Sequence, residues 1–285
     1  MGAMLADALD LLICPHCGAD WDAEASSARA LVCAEGHRYD ASRHGYVNLL
    51  TGRPSRSTPD TADMVAARDA FLGAGHYAPI AAALADACAA LPAVAADLDA
   101  GAGTGYYLAA VLDRLAGGGP RRARAIALDL SPQALRRAAR LERVAALVWD
   151  LWKPLPVAAG TVDAVLDVFA PRNLPEFARI TRPGGLLVAV TPLPQHLAEL
   201  RAQLPLLDVP EGKAEALELA AAGDYEPLSR AQLTFPLVLT PASAADLAQM
   251  GPAGHHTGRT ELERLAGDEE LAATAAVELS VLRRR

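Results

Sequence analysis

The stretch Asp97-Leu98-Asp99-Ala100-Gly101-Ala102-Gly103-Thr104-Gly105 decides the reading of this chain. An apolar run over 91–98 leads into it and reads as a buried strand. Three glycines follow at alternate positions, and Tyr106-Tyr107-Leu108-Ala109-Ala110-Val111-Leu112 then has the apolar density of a helix. Strand, glycine loop and helix form the entry unit of a doubly wound α/β domain. Glycine lets the backbone turn sharply there and lets a ligand approach where a Cβ would stand in the way.

The spacing separates two cofactors. A dinucleotide fingerprint, G-x-G-x-x-G, needs a third glycine at 106, where this chain has Tyr106. The pattern is instead acidic-x-G-x-G-x-G, with Asp99 as the acid, Gly101, Gly103 and Gly105 as the glycines, and Thr104 among them. It resembles the first motif of class I S-adenosylmethionine (SAM) methyltransferases, a Rossmann-like fold with a seven-stranded sheet. A tight turn in some other α/β domain is the alternative.

Downstream the alternation continues. Strands are expected over 125–129, 145–149, 162–169 and 186–190, with helices from Pro132 and over 173–180, and a turn at Arg182-Pro183-Gly184-Gly185. Asp129 ends the second strand and is placed to accept ribose hydroxyls. Asp150 follows the third and suits the adenine amino group, with Trp149 or Leu151 flanking the ring. Carboxylates at strand ends also cap helices or face water, but three successive ones favour a SAM site. Asp167 and Phe169, at the end of the fourth strand, fall on the acceptor side, where Phe169 can stack on a base. Beyond Thr191 a helix is expected over 196–204, a strand over 234–239, a helix over 243–250 and a last strand over 276–282.

Upstream, the first fifty residues form a unit of their own. Cys14 and Cys17 make a CxxC turn, and Cys33 and His37 follow in the pattern C-x2-C-x15-C-x3-H. Thiolate and imidazole are the ligands tetrahedral zinc prefers, and four of them leave no open catalytic position. A redox CxxC would sit at a helix start after a strand, a context absent here. His16 could compete as a ligand, but His37 has the better spacing. Between Arg29 and Arg56 lie five arginines (29, 38, 43, 53, 56) against Glu35 and Asp40, with His44, Tyr39 and Tyr46 among them. Such a face suits phosphate and unpaired bases.

Composition sets the outer bounds. The 285 residues are 52% hydrophobic, enough for a sizeable core, and a net charge of −8 does not point to a nucleic-acid binder as a whole. No membrane span or secretory signal is expected, and cysteines clustered for a metal fit a cytoplasmic protein.

Taken together, several stretches identify a family. They are Cys14-x2-Cys17, Cys33-x3-His37, Gly45-Tyr46-Val47-Asn48-Leu49-Leu50, Ala74-Gly75-His76-Tyr77, Gly103-Thr104-Gly105-Tyr106-Tyr107, Phe169-Ala170-Pro171, Arg182-Pro183-Gly184-Gly185 and Thr191-Pro192 with His196-Leu197. Nearly end to end, the chain resembles the bacterial 23S rRNA guanine-N1 methyltransferases, which include a tylosin-resistance enzyme. Gly251-Pro252-Ala253-Gly254-His255-His256 looks closer to that macrolide-resistance branch.

The resemblance implies zinc on Cys14, Cys17, Cys33 and His37. It implies SAM contacts from Tyr77, the 103–106 loop, Asp129 and His196; spacing alone points to neither Tyr77 nor His196. It further implies a 23S rRNA hairpin as substrate and a homodimer. The expected organisation is a zinc-ribbon-like RNA-recognition domain over 1–52, a linker and helical segment over 53–94, and the SAM domain over 95–285. No base for the guanine N1 proton is unmistakable: Asp167 is one candidate, and loss to water another. The competing functions are a methyltransferase acting on a small molecule or protein, and a non-catalytic SAM- or RNA-binding module.

Overall fold

A computed structural model describes residues 6–52, 55, 57–91, 96–116 and 123–285. Three short strands, β1 (Ala30–Val32), β2 (Arg38–Asp40) and β3 (Val47–Asn48), come first. Helices α1 (Ala62–Gly73) and α2 (Ala78–Ala89) follow. The alternating core is β4 (Ala96–Ala100), α3 (Tyr106–Ala116), β5 (Arg124–Asp129), α4 (Pro132–Ala138), β6 (Val144–Val148), β7 (Val162–Val168), α5 (Leu174–Ile180) and β8 (Thr181–Pro192). The chain continues through α6 (Lys213–Ala221), β9 (Tyr225–Leu239), α7 (Pro241–Gln249), α8 (Arg259–Ala266) and β10 (Leu271–Arg284).

The main sheet runs β3-β6-β5-β4-β7-β8-β10-β9. All its pairings are parallel except those of β10, which is antiparallel to both β8 and β9. Seven of these strands form the expected Rossmann-like sheet. The eighth, β3, is an addition that sequence did not foresee: Val47 and Asn48 pair with Leu147 and Val148, so the N-terminal unit is joined to the sheet by backbone hydrogen bonds. β1 and β2 form a separate hairpin.

Both faces of the sheet are covered, which is why its central strands read as continuous apolar runs. In β5, Ala125 and Ala127 pack among α1–α4, while Ile126 and Leu128 face the zinc module, α5 and α6. Each fully buried Ile or Leu contributes about 1.5–3 kcal/mol. Thr61 caps α1 by accepting from Met64 N, and Ser131 caps α4 by accepting from Ala134 N.

Three expectations need correction or limits. The helix expected over 196–204 is only a 3-10 turn at Ala198–Leu200. Leu197 sits at φ +56, and its N–H is drawn to Thr274 O on β10, which a helix cannot accommodate. The Arg182–Gly185 turn lies within β8 as a bulge, where pairing with β7 jumps from Thr181 to Leu186. Of the strand expected over 91–98, residues 96–98 lie in β4, while residues 92–95 lie outside the described residues, as do Arg53 and Arg56. Among the described residues no helix is long and apolar enough to cross a membrane.

Asp97 is fully buried in β4, and neither of its carboxyl oxygens has a partner among the described residues. Burial, then the charges of Asp163 and Asp99, push its pKa well above the usual range. The unfolded chain releases this proton near pH 4. Above that pH the folded state still holds it, so stability falls as pH rises toward the folded pKa. Asp97→Asn should therefore stabilise the protein increasingly with pH, by up to about 1.4 kcal/mol per pH unit. Paired thermal melts at pH 5 and pH 8 read this; an equal shift at both would contradict it.

Candidate donor site and zinc centre

The glycine loop is built by three different demands. After β4, Gly101 turns at φ +80, and the N–H groups of Gly101 and Ala102 both donate to Leu128 O at 2.9 and 3.0 Å. A Cβ on Gly101 would stand 2.6 Å from the Ala170 Cβ, so this position must stay bare for the loop after β7 to close against it. Gly103 donates to Asp129 Oδ2 at 2.8 Å, which ties the loop to the end of β5. Gly105, at φ +83, lies where a Cβ would meet Leu141 at 2.8 Å and Ala138 at 3.2 Å. Its role is close packing against the end of α4 rather than forming the cavity wall.

This loop borders a cavity of about 440 Å³ at the carboxyl edge of the sheet. Of the expected residues, Tyr77, Gly101, Gly103, Thr104, Tyr106, Asp129, Phe169 and His196 lie on its wall. Asp99, Gly105, Asp150, Leu151 and Asp167 do not. Asp150 instead accepts from Trp152 N at 3.0 Å. Leu151 comes within 3.9 Å of a Cβ built on Gly101.

The floor is rich in carboxylates. Asp129 Oδ1 accepts from Ser131 N at 2.7 Å while its Oδ2 holds the glycine loop, which leaves further lone pairs for hydroxyls. Burial, with Asp129 and Asp167 nearby, pushes Asp99 up to about 8. Burial likewise raises Asp167 to about 7, although Arg172 opposes the shift. A ligand carrying positive charge would relieve this cost.

At the other end, Tyr77 and His196 are bonded, Oη to Nε2, at 3.2 Å. The backbone N–H of Ala276 donates to His196 Nδ1 at 3.1 Å, and burial pulls the imidazole down to about 4. The ring is therefore neutral near pH 7 with its proton on Nε2, where it donates to Tyr77 Oη. The Tyr77 hydroxyl hydrogen is thus free to point into the cavity. The Phe169 ring completes this corner, 6.1 Å from Tyr77 and 6.0 Å from His196. It is 41% exposed, and its φ of +54 stores about 1–2 kcal/mol of backbone strain.

Sequence reasoning missed part of the wall. Arg68 pairs with Asp60, donates to Met250 O at 2.8 Å, and passes 3.5 Å from the Cβ position of Gly103. The signal was present: Arg68 falls in the apolar spacing of α1, with Met64, Val65, Phe71 and Leu72. Arg201, Leu206, Leu207, Leu247 and Met250 close the rest, in segments without a legible motif.

The second centre lies in the N-terminal unit. The ligand atoms of Cys14, Cys17, Cys33 and His37 all lie within 4.8 Å of one another. Cys17 Sγ and Cys33 Sγ are 3.8 Å apart, and His37 Nδ1 is 3.3 Å from Cys33 Sγ and 3.8 Å from Cys14 Sγ. A tetrahedral zinc with bonds of about 2.3 Å to sulfur sets its sulfurs about 3.8 Å apart. The set fits zinc, held structurally by four protein ligands. Gly18 and Gly36 make the two turns with φ of +75 and +81. His16 only packs its ring 4.2 Å from that of His37. The unit docks on the sheet through Leu12, bridged to Val157, and through Arg124, which grips Asp10.

The basic face departs from expectation. Tyr39 is buried against Trp21 and cannot stack on a base, and Arg38 is paired with Asp40. Arg43 and His44 instead lie beside α4 and the turn after it, where desolvation and then Arg136, Arg43 and Arg140 lower the His44 pKa.

Cys14→Ser should lower bound zinc from one per chain to near zero and expose Trp21, read by elemental analysis and Trp fluorescence. Full zinc retention would contradict the ligand set. Asp129→Ala should weaken SAM binding at least tenfold by calorimetry, since charge-assisted hydrogen bonds contribute about 1.5–3 kcal/mol. Unchanged affinity would remove Asp129 from the site.

Comparison with known proteins agrees with this geometry. A family profile described as the N-terminal part of RlmA, a zinc ribbon, matches residues 12–57, and one described as a methyltransferase domain matches 98–185. The chain is 43% identical over 274 residues to the 23S rRNA (guanine(748)-N(1))-methyltransferase of Streptomyces fradiae, covering 95% of this chain and 94% of that one. It is 44% identical over 296 residues to a protein of Micromonospora griseorubida named as a candidate 23S rRNA (guanine-N1)-methyltransferase, covering 97% and 98%. A chain from a Haloferax volcanii complex of a methyltransferase activator and its methyltransferase superposes with a TM-score of 0.50 at 22% identity, covering 80% of this chain and 99% of that one, which shows the fold alone. A SAM-dependent methyltransferase domain and a zinc ribbon therefore share one chain, and that chain belongs to the 23S rRNA (guanine-N1)-methyltransferase family.

Proposed function

We propose that this protein transfers a methyl group from SAM to N1 of a guanine in a 23S rRNA hairpin, at the position equivalent to guanine 748 of the Streptomyces fradiae enzyme. The observation that carries the reading is the near full-length similarity to that enzyme, with the zinc ribbon and the donor cavity both intact in this chain.

SAM supplies an electrophilic methyl group on a sulfonium, and the residues that would hold it are Tyr77, Gly101, Gly103, Thr104, Tyr106, Asp129 and His196. Asp129 takes the ribose hydroxyls, and the Tyr77 hydroxyl donates to the methionine carboxylate. Asp99 lies beneath the loop, and a cationic donor above it would favour its ionised form. Rate enhancement comes mainly from holding donor and acceptor in attack geometry, which can supply about 7–11 kcal/mol. Phe169 stacks on the acceptor base. The zinc ribbon and the Arg43–His44 edge bind the RNA backbone. The resemblance also favours a homodimer and a role in macrolide resistance.

Incubation with radiolabelled SAM and unmodified 23S rRNA, followed by primer extension, should give one stop at the guanine equivalent to 748. Label transfer to metabolites or protein without any stop in rRNA would refute the reading.

A further inference from the structure

A second cavity, of about 500 Å³, opens beside the donor cavity and shares Phe169, Ala170 and Pro192 with it. Its volume suits a nucleotide-sized ligand. Two cations line it, Arg172 and Lys213. Arg172 is held in one direction: its Nε donates to Asp167 Oδ1 at 2.8 Å. Among the described residues, its two terminal nitrogens have no hydrogen-bond partner. Asp167 is fully buried with Oδ2 unpartnered, so this carboxylate is kept in the core at a cost and its one visible partner is Arg172. An arginine pinned through Nε offers a planar pair of donors to whatever enters the cavity.

We propose that Arg172 reads the O6 and N7 edge of the target guanine in this second cavity. The inference rests on the guanine-N1 reading above. An arginine fork matches the paired acceptors O6 and N7 of guanine; adenine offers a donor at the same edge, and pyrimidines lack N7. Holding that edge leaves N1, on the opposite side of O6, directed to the methyl donor, while Phe169 covers the face of the ring. Lys213 takes the backbone phosphate, a contact that positions without reading sequence.

The arrangement also bears on the chemistry. The N1 proton departs to solvent, N1 then gives the freed electron pair to the methyl carbon as the carbon–sulfur bond breaks, and the sulfur keeps the bonding pair as a neutral thioether. As that proton leaves, negative charge spreads to O6, where the guanidinium already stands. Asp167 does not touch the base. It is a positioning residue that acts through Arg172.

The test uses a synthetic rRNA hairpin carrying either guanine or 7-deazaguanine, which lacks only the N7 acceptor, at the methylated position. Binding without SAM and methyl transfer with SAM are both measured. For the unaltered protein, 7-deazaguanine should reduce affinity and kcat/KM about tenfold. Arg172→Lys and Arg172→Met should lose at least tenfold on guanine and no longer distinguish the two hairpins, with SAM affinity unchanged. The rising limb of the pH–rate profile should move to higher pH in Arg172→Met. Lys213→Met should weaken both hairpins equally. Equal handling of the two hairpins by the unaltered protein would overturn the proposal even if the variants fail to fold, as would variants that still discriminate. Failure of the unaltered protein to methylate any 23S rRNA guanine would instead sink the reading beneath it.

Discussion

The close approach of Gly101 to Ala170 is the constraint on which the site depends. β4 and β7 pair in parallel, Asp97 with Ala164 through Asp99 with Leu166, so their carboxyl ends finish at the same level. The glycine loop and the loop after β7, the proposed donor and acceptor sides, therefore emerge side by side. Any side chain at 101 would drive them apart, because a Cβ there would stand 2.6 Å from that of Ala170. The order reversal that places β4 between β5 and β7 opens the crevice above these ends. The spacing of the two loops is thus set by the close approach of Gly101 to Ala170.

Electrostatics explain why the crevice suits a cationic donor. Asp99 and Asp167 are buried and Asp129 half-buried at the same edge, and desolvation raises the pKa of each. Backbone donors from Gly103 and Ser131 satisfy Asp129, and Arg172 satisfies one oxygen of Asp167. Asp99 Oδ2 and Asp167 Oδ2 stay unpartnered among the described residues. A sulfonium above such a floor gains Coulomb energy, whereas a neutral ligand would not. The neutral His196 avoids adding a competing charge at the opposite corner and fixes the Tyr77 hydroxyl as a donor.

Much of this was legible in the chain, for reasons that differ by residue. The glycine loop and the C-x2-C-x15-C-x3-H pattern were readable because turn geometry and metal coordination are local and demand particular residue types. The succession of strands and helices along the chain followed from the alternation of apolar runs, whereas the order of strands in the sheet came from the structure. Tyr77 and His196 were reachable only through family resemblance, since their pairing joins residues 119 positions apart. Arg68 was visible as a misplaced charge on an apolar helix face, but its reach over Gly103 needed coordinates. The eighth strand could not be read from two residues, Val47 and Asn48. The burial of Tyr39 against Trp21 depended on how the hairpin folds over the metal centre. Arg172 stood next to a motif yet had no signature of its own; its meaning comes from Asp167 beneath it and the cavity in front of it.

A crystal structure with S-adenosylhomocysteine bound, the demethylated product of the donor, tests the central claim most directly. The account requires the ribose hydroxyls to lie within hydrogen-bond distance of Asp129 and the thioether sulfur to face Phe169 at the junction of the two cavities. A ligand seated with its sulfur turned away from Phe169, or bound outside the crevice above β4 and β5, would contradict it.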